Sequence, residues 1–478
     1  MSVRKSLGYA YTAQAINFVV SFGTSVVVAR LMTPREFGIF AMASAASAIL
    51  NLFFAFSLGS YIIREKEVDT PLLQSAFTVN TALTLVLATL IHLSGWGATL
   101  LFNSPDVGRV LRLFAVVPLI SMFEFIPNAL CAREMRFKLG SLINLLRNLT
   151  LSAMLILFAW HGLHEMAFAW ATVCSALVSV VCYNARVWRP DVWRLRFGNF
   201  RKITGFGLQM MSINGLGQLS ARAGDLVLGS MLGLTTLGIY NRALNLGNQI
   251  YNNVYGIGSG VIFSKMSRDL REKGSFHDTF LRALSILLAV VWPMMLGLAV
   301  LSQPVIHVLY GAQWQAAALP LSLLTISFFI ALGVGMNWEV FVLRQETRLQ
   351  TRIEVTRSSV GFLLFVSGCT IGLTAAAGAK ILESVLTYVL YRRHMDRLVG
   401  AQVGELRHLY IANLQLSLVA VAPSLALMLW TRWSPETSLA AIAACVIAGV
   451  LAWAVLLFRT DHPLAQEVRK FLRERRVA

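Results

Sequence analysis

Long apolar stretches separated by short polar turns recur from one end of the chain to the other. An α-helix needs about 20 mostly apolar residues, at 1.5 Å rise each, to cross ~30 Å of hydrocarbon. The pattern predicts fourteen such spans, at roughly 7–30, 38–62, 75–101, 110–131, 141–160, 166–187, 205–230, 237–262, 280–301, 317–341, 357–374, 376–394, 408–430 and 438–458. The connections left over are short, and none can hold a catalytic domain. The N-terminal stretch lacks a small-residue cleavage site and reads as the first span, not a removed signal peptide.

Composition narrows the class further. Of 478 residues, 56% are hydrophobic and only 13% are charged, against about 25% charged in soluble domains. Mean hydropathy is +0.66. An ordinary cytosolic enzyme, a disordered scaffold and a secreted domain are excluded, which leaves an all-α polytopic membrane protein. The net charge of +18 would point to nucleic acid in a soluble chain. In a membrane protein it reports topology, because basic residues collect in cytoplasmic loops. With the N-terminus inside, the cytoplasmic loops and termini hold 31 Lys and Arg and the outer face six, leaving only Arg147, Arg222, Arg242 and Arg282 within spans or at their starts. That split places both termini in the cytoplasm and implies no nucleic-acid partner. The five cysteines, Cys131, Cys174, Cys182, Cys369 and Cys445, lie in or beside apolar runs. They predict neither disulfides nor a metal site.

The chain also repeats weakly. Phe37-Gly38-Ile39-Phe40 matches Leu237-Gly238-Ile239-Tyr240, and Leu101-Phe102 matches Leu309-Tyr310. Six spans separate the copies, so the halves are parallel repeats. The expected organisation is an N-terminal six-helix lobe (1–187), a basic cytoplasmic linker (188–204), a second six-helix lobe (205–395), and two extra helices with a basic tail (396–478). Two pseudo-symmetric lobes imply a central cavity and alternating access.

Polar groups inside spans mark function or pairing. Arg222 and Asp225 are three apart on one helix face and can pair. With Arg30 and Arg242 they place an excess of positive charge where an anionic cargo, phosphate above all, would suit a guanidinium fork. An orienting pair with snorkelling arginines is the plain alternative. Gln14 and Asn17 put polar groups, but no carboxylate, on span one. Glu124 and Arg147 lie at matching depth and predict a structural ion pair. Lys380 and Glu383 predict a local pair, and Glu339, near a helix end, is expected to be solvated. His161, His164 and Glu165 read as a solvated corner.

Four stretches are familiar together: 28–40 (ValAlaArgLeuMetThrProArgGluPheGlyIlePhe), 131–138 (CysAlaArgGluMetArgPheLys), the pair within 221–243 (AlaArgAlaGlyAspLeuValLeuGlySerMetLeuGly and LeuGlyIleTyrAsnArgAla), and 308–317 (ValLeuTyrGlyAlaGlnTrpGlnAlaAla). They resemble the bacterial oligosaccharide-lipid (Wzx-type) flippases, in the branch with colanic acid and succinoglycan exporters, within the superfamily of multidrug extruders and peptidoglycan-lipid flippases. The resemblance runs to about residue 395. It implies an inner-membrane transporter of undecaprenyl-pyrophosphate-linked sugar repeat units, whose pyrophosphate seeks Arg30, Arg222 and Arg242 while the prenyl tail stays in lipid. It further implies a monomer without a cofactor that can hand its cargo to polysaccharide polymerase or export machinery. Ion coupling stays open. A drug antiporter of this plan would be expected to carry buried carboxylates on span one, which are absent here. A peptidoglycan-lipid flippase shares the fold. A glycan polymerase would need acid/base groups in a large outer loop, and 302–316 offers only His307. No P-loop motif is present, so this chain does not hydrolyse ATP.

Overall fold

The polar punctuation between apolar runs works as helix caps. In the computed structural model, which describes residues 3–54, 58–101, 104–198 and 216–477, α1 (Val3–Leu31) ends two residues before α2 (Pro34–Phe53). Thr33 closes a capping box there: its N–H donates to Glu36 Oε2 (2.7 Å), and its Oγ1 accepts from the Glu36 N–H (3.4 Å). Pro34 at the first helical position loses no hydrogen bond. Backbone contacts divide the chain into two units, Met1–Gly238 and Ile239–Ala478.

The first unit continues with α3 (Leu58–Arg64), α4 (Thr70–Leu101), α5 (Pro105–Phe114), α6 (Val116–Ser121), α7 (Phe125–Arg133), α8 (Phe137–Trp160), α9 (Met166–Arg186), a 3-10 turn at Pro190–Trp193, and α10 (Leu216–Leu232). α8 packs on both α1 and α9, α4 on α5, and α10 on α2. The fourth predicted span is broken: the α5–α6 segment and α7 are bent by 51°. Asn184 from α9 donates to the Phe123 carbonyl at the break (3.1 Å). This satisfies a backbone group that lipid could not. The described part of the basic linker is docked, not loose. Gln74 donates to the Asp191 carbonyl (2.8 Å), the Arg196 N–H to Thr78 Oγ1 (2.7 Å), and Val192 is fully buried. The rest of the linker and the start of the seventh predicted span, with Lys202, Gly205, Gly207 and Gly215, lie outside the described residues.

α11 (Leu234–Lys273) begins in the first unit and runs far into the second. Its start explains one of the repeat signals. A Cβ at Gly38 would sit 1.7 Å from the Leu234 carbonyl oxygen, and one at Gly238 would sit 1.9 Å from that of Pro34. Only glycine lets these two backbones touch.

Beyond α11 the second unit comprises α12 (His277–Val300), α13 (Ser302–Tyr310), a 3-10 turn (Ala312–Ala317), α14 (Ala318–Ala331), α15 (Asn337–Leu343), α16 (Thr347–Ile371), α17 (Leu373–Val399), α18 (Val403–Trp430), α19 (Leu439–Arg459) and α20 (Pro463–Val477). Its core joins Phe280, Leu288 and Trp292 of α12 to Val340 and Phe341 of α15, Tyr391 of α17 and Leu406 of α18. The tenth predicted span is also broken, by a 3-10 turn at Leu332–Val334 and by Met336 in the left-handed region (φ 59°). Trp292 Nε1 donates to the Phe329 carbonyl (2.9 Å), and the Tyr410 hydroxyl donates to that of Gly333.

Among the described residues no β-strand occurs, and nine helices are long and apolar enough to cross a membrane, or ten if the bent pair is one span. α16 starts ten residues before the predicted eleventh span. Arg357, at the first position of that span and counted among the 31 cytoplasmic basic residues, lies well inside the helix.

Candidate functional site

Charged groups inside this fold fall into constellations of different character. Around the α1–α2 turn, Arg109 bridges Asp106 (2.7 Å) and Glu165 (3.1 Å), Arg35 lies 3.5 Å from Asp106, and His164 Nδ1 is 2.5 Å from Glu36. The corner read as solvated is exposed at His161 and His164, but Glu165 is buried, and the network around it ties α2, α5 and the α8–α9 turn together. Sequence reasoning missed this network because its bonded partners, Glu36 and His164 among them, lie as much as 128 residues apart.

Arg222 and Asp225 share one face of α10, with Nη1 3.8 Å from the carboxylate. Asp225 is buried, whereas the Arg222 side chain is 43% exposed. Part of its guanidinium fork is therefore open to a second anion. Arg30, in the last turn of α1, is exposed, Gln14 is exposed, and Asn17 is half-buried one turn further along.

Arg242 stands differently. It is buried at 6% exposure, with its guanidinium carbon 4.1 Å from the Tyr310 ring centroid and 5.6 Å from that of Trp314. Both rings are fully buried. Gly311, at φ 93°, turns the chain between them. The motif at 308–317 thus builds an aromatic seat for the arginine of Asn241-Arg242-Ala243. Such cation–π contacts reach about 2 kcal/mol when desolvated.

The two broken spans each carry an acid next to the break. Glu124 lies 3.8 Å from Arg147 of α8. Glu339, expected to be wet, is 3% exposed, and the Tyr255 hydroxyl donates to its carboxylate at 2.9 and 3.0 Å. The apolar wall of α11 and α14 covers it: Tyr251 stacks on both Tyr255 and Phe328.

The local Lys380–Glu383 pair (2.7 Å) belongs to a larger cluster. Arg357 from α16 reaches Glu383 (2.6 Å) and Glu354 (2.7 Å), and the Tyr391 hydroxyl donates to Glu354 (2.7 Å). Two acids and two bases balance, so the cluster locks α16 to α17 and offers no net charge to a ligand. The first of the two arginines in the 131–138 motif is likewise structural. Arg133 donates to the carbonyls of Ile62 (2.6 Å), Glu65 (2.5 Å) and Lys66 (2.9 Å), closing the end of α3. Among the described residues no group of three His, Cys, Asp or Glu side chains could hold a metal ion.

Comparisons with known proteins set this geometry in context. Residues 27–319 match the sequence signature described as "Polysaccharide biosynthesis protein". The succinoglycan biosynthesis transport protein ExoT of Rhizobium meliloti is 22% identical over 68% of this chain, and the match spans 66% of its own length. The lipopolysaccharide biosynthesis protein WzxC of Escherichia coli is 22% identical over 98% of this chain and 97% of its own. Among solved structures, the lipid II flippase MurJ in an inward closed conformation matches with a TM-score of 0.74 at 14% identity, covering 95% of this chain and 99% of its own. That likeness establishes the helical fold.

Proposed function

The chain belongs to the polysaccharide biosynthesis protein family, and from that premise we propose that it is a flippase for undecaprenyl-pyrophosphate-linked oligosaccharide repeat units. It moves them from the cytoplasmic to the periplasmic leaflet by alternating access and leaves them chemically unchanged. Both termini lie in the cytoplasm, as the 31-to-6 split of basic residues supports. Relatives named for succinoglycan transport and lipopolysaccharide biosynthesis support the substrate class.

The observation that carries the chemistry is the half-exposed Arg222 on apolar α10, held by Asp225 with part of its fork open. A pyrophosphate entering hydrocarbon unaided meets a prohibitive desolvation cost. A fixed guanidinium lowers it without making or breaking bonds. Arg30 adds a second cation at the end of α1, and Gln14 and Asn17 add polar groups along the same helix. Arg242 acts indirectly, by holding the aromatic turn.

Purified protein in liposomes should move a polyprenyl-pyrophosphate oligosaccharide between leaflets, with an unchanged mass spectrum. Arg222→Ala should slow this about tenfold or more, since a charge-assisted hydrogen bond contributes about 1.5–3 kcal/mol; Arg222→Lys should be milder. Full activity of Arg222→Ala at normal protein level removes the phosphate role. Longer or transferred glycans made by the pure protein make it an enzyme.

A further inference from the structure

The last helix carries an apolar stripe that the protein covers only in part. Leu464, Ala465, Val468 and Leu472 fall on one face of α20 at three- and four-residue spacing. The stripe begins inside the protein: Ala465 is fully buried in a cluster with Ala289, Leu416 and Leu457, and Leu464 packs against it. One turn later that cover ends, and Val468 is 36% and Leu472 54% exposed. Exposed Arg469, Lys470 and Arg473 flank the uncovered end, and Arg475 and Arg476 follow in the sequence.

The helix root is fixed firmly. His462, in the turn before it, is 2.8 Å from Ser285 Oγ of α12, which also accepts from Asn413 of α18 (3.3 Å). Glu467 pairs with Arg282 (3.0 Å), and Asp461 with Arg469 (2.6 Å). Two of the nearby acids are thereby engaged within the fold, while Lys470 and Arg473 have no ion pair among the described residues. The chain turns into α20 three residues after α19 ends, and α19 is long and apolar enough to span the membrane. The uncovered stripe therefore begins at the bilayer surface.

We infer that α20 is an interfacial helix that seats Val468 and Leu472 in the headgroup layer beside the end of α19 and binds anionic phospholipid through Lys470 and Arg473. Apolar contact below and cations at headgroup level are what such a helix needs. The partner is a lipid surface and not a transported molecule, so the inference is independent of the flippase reading.

The test places an environment-sensitive fluorophore on Leu472→Cys, with the five native cysteines replaced by alanine, in nanodiscs of phosphatidylcholine alone or mixed with phosphatidylglycerol. Quenching by lipid-borne nitroxides should rise at least about twofold with phosphatidylglycerol, fall back in high salt, and lose the increment when Lys470→Gln and Arg473→Gln are added. The same label on Lys470→Cys should stay open to an aqueous quencher. Should the cysteine-free protein not fold, hydrogen exchange of the wild-type 463–477 segment gives the same answer, through added protection in phosphatidylglycerol. A residue-472 label that stays water-exposed in both lipids overturns the inference and leaves the stripe for a partner protein. Equal quenching in both overturns the anionic preference.

Discussion

Arg222 and Arg242 are twenty residues apart on successive helices, and from sequence they are equivalent candidates for binding an anion. The structure gives them opposite settings. The Arg222 side chain is 43% exposed beside one carboxylate, whereas Arg242 is buried, with 6% of the residue exposed, beneath two aromatic rings. An arginine in a span costs at most about 2.5–3.5 kcal/mol, the value at the span's centre. A desolvated cation–π contact returns up to about 2 kcal/mol, so two rings largely offset that cost. The charge of Arg242 is committed to holding the turn at Gly311, and that of Arg222 is only partly committed. We propose that what each guanidinium faces, and not basic character alone, decides which of the two meets substrate.

The largest effect expected from this contrast is on stability. Trp314→Ala removes a fully buried indole, a change of about 3–5 kcal/mol in cores, and should lower the melting temperature in detergent clearly. Arg242→Met keeps most of the volume and removes both the cation–π contacts and the cost of burying the charge, so stability should change by less than about 1–2 kcal/mol. Flipping per folded molecule should survive Arg242→Met. If that variant melts like wild type yet transports nothing, Arg242 contacts substrate and the contrast collapses.

Asp225 sharpens the other half. Asp225→Asn keeps a hydrogen-bonding group beside Arg222 and removes only the charge. With Arg222 this exposed, stability should change by less than about 1 kcal/mol, and transport should fall less than in Arg222→Ala. A loss of transport as deep as that of Arg222→Ala, measured in the same liposomes, would make Asp225 a working carboxylate in its own right.

Much of this was legible in the sequence because lipid imposes a strong rule: spans must be apolar and long. The Arg222–Asp225 and Glu124–Arg147 pairs stand at 3.8 Å in both cases, because spacing and depth already place such partners within reach. The helix breaks at 122–124 and 332–336 were not legible. Side chains from other helices, Asn184, Trp292 and Tyr410, satisfy the freed carbonyls, and no local residue announces that. Glu339 misled for the same reason, since its cover comes from Tyr255, 84 residues earlier. Arg357 was placed at the start of its span and counted with the loops because a charged run lowers hydropathy; in the fold its charge is matched by Glu354 and Glu383.

The smallest expected effect concerns a polar group committed to structure as Arg242 is, but neutral. His462 is buried between α12, α18 and the root of α20. Its Nδ1 accepts the Leu464 N–H (3.2 Å), so Nε2 carries the proton and donates to Ser285. Ser285 and Asn413 face the ring, and the nearest acids, Asp461 and Glu467, are engaged with Arg469 and Arg282. Burial pushes the imidazole down to about 4, below the ~6.5 of a free histidine. A detached root therefore takes up a proton as pH falls below ~6.5, while the docked one resists until about 4. Docking is at full strength above ~6.5 and weakens as pH falls from there toward 4. Protonating Nδ1 also removes the acceptor for Leu464. Hydrogen exchange of residues 463–470, corrected for intrinsic rates, should show protection declining across that window in the wild type. His462→Gln, which cannot titrate, should flatten the decline, and an equal slope in both proteins would mean that another group governs the anchor.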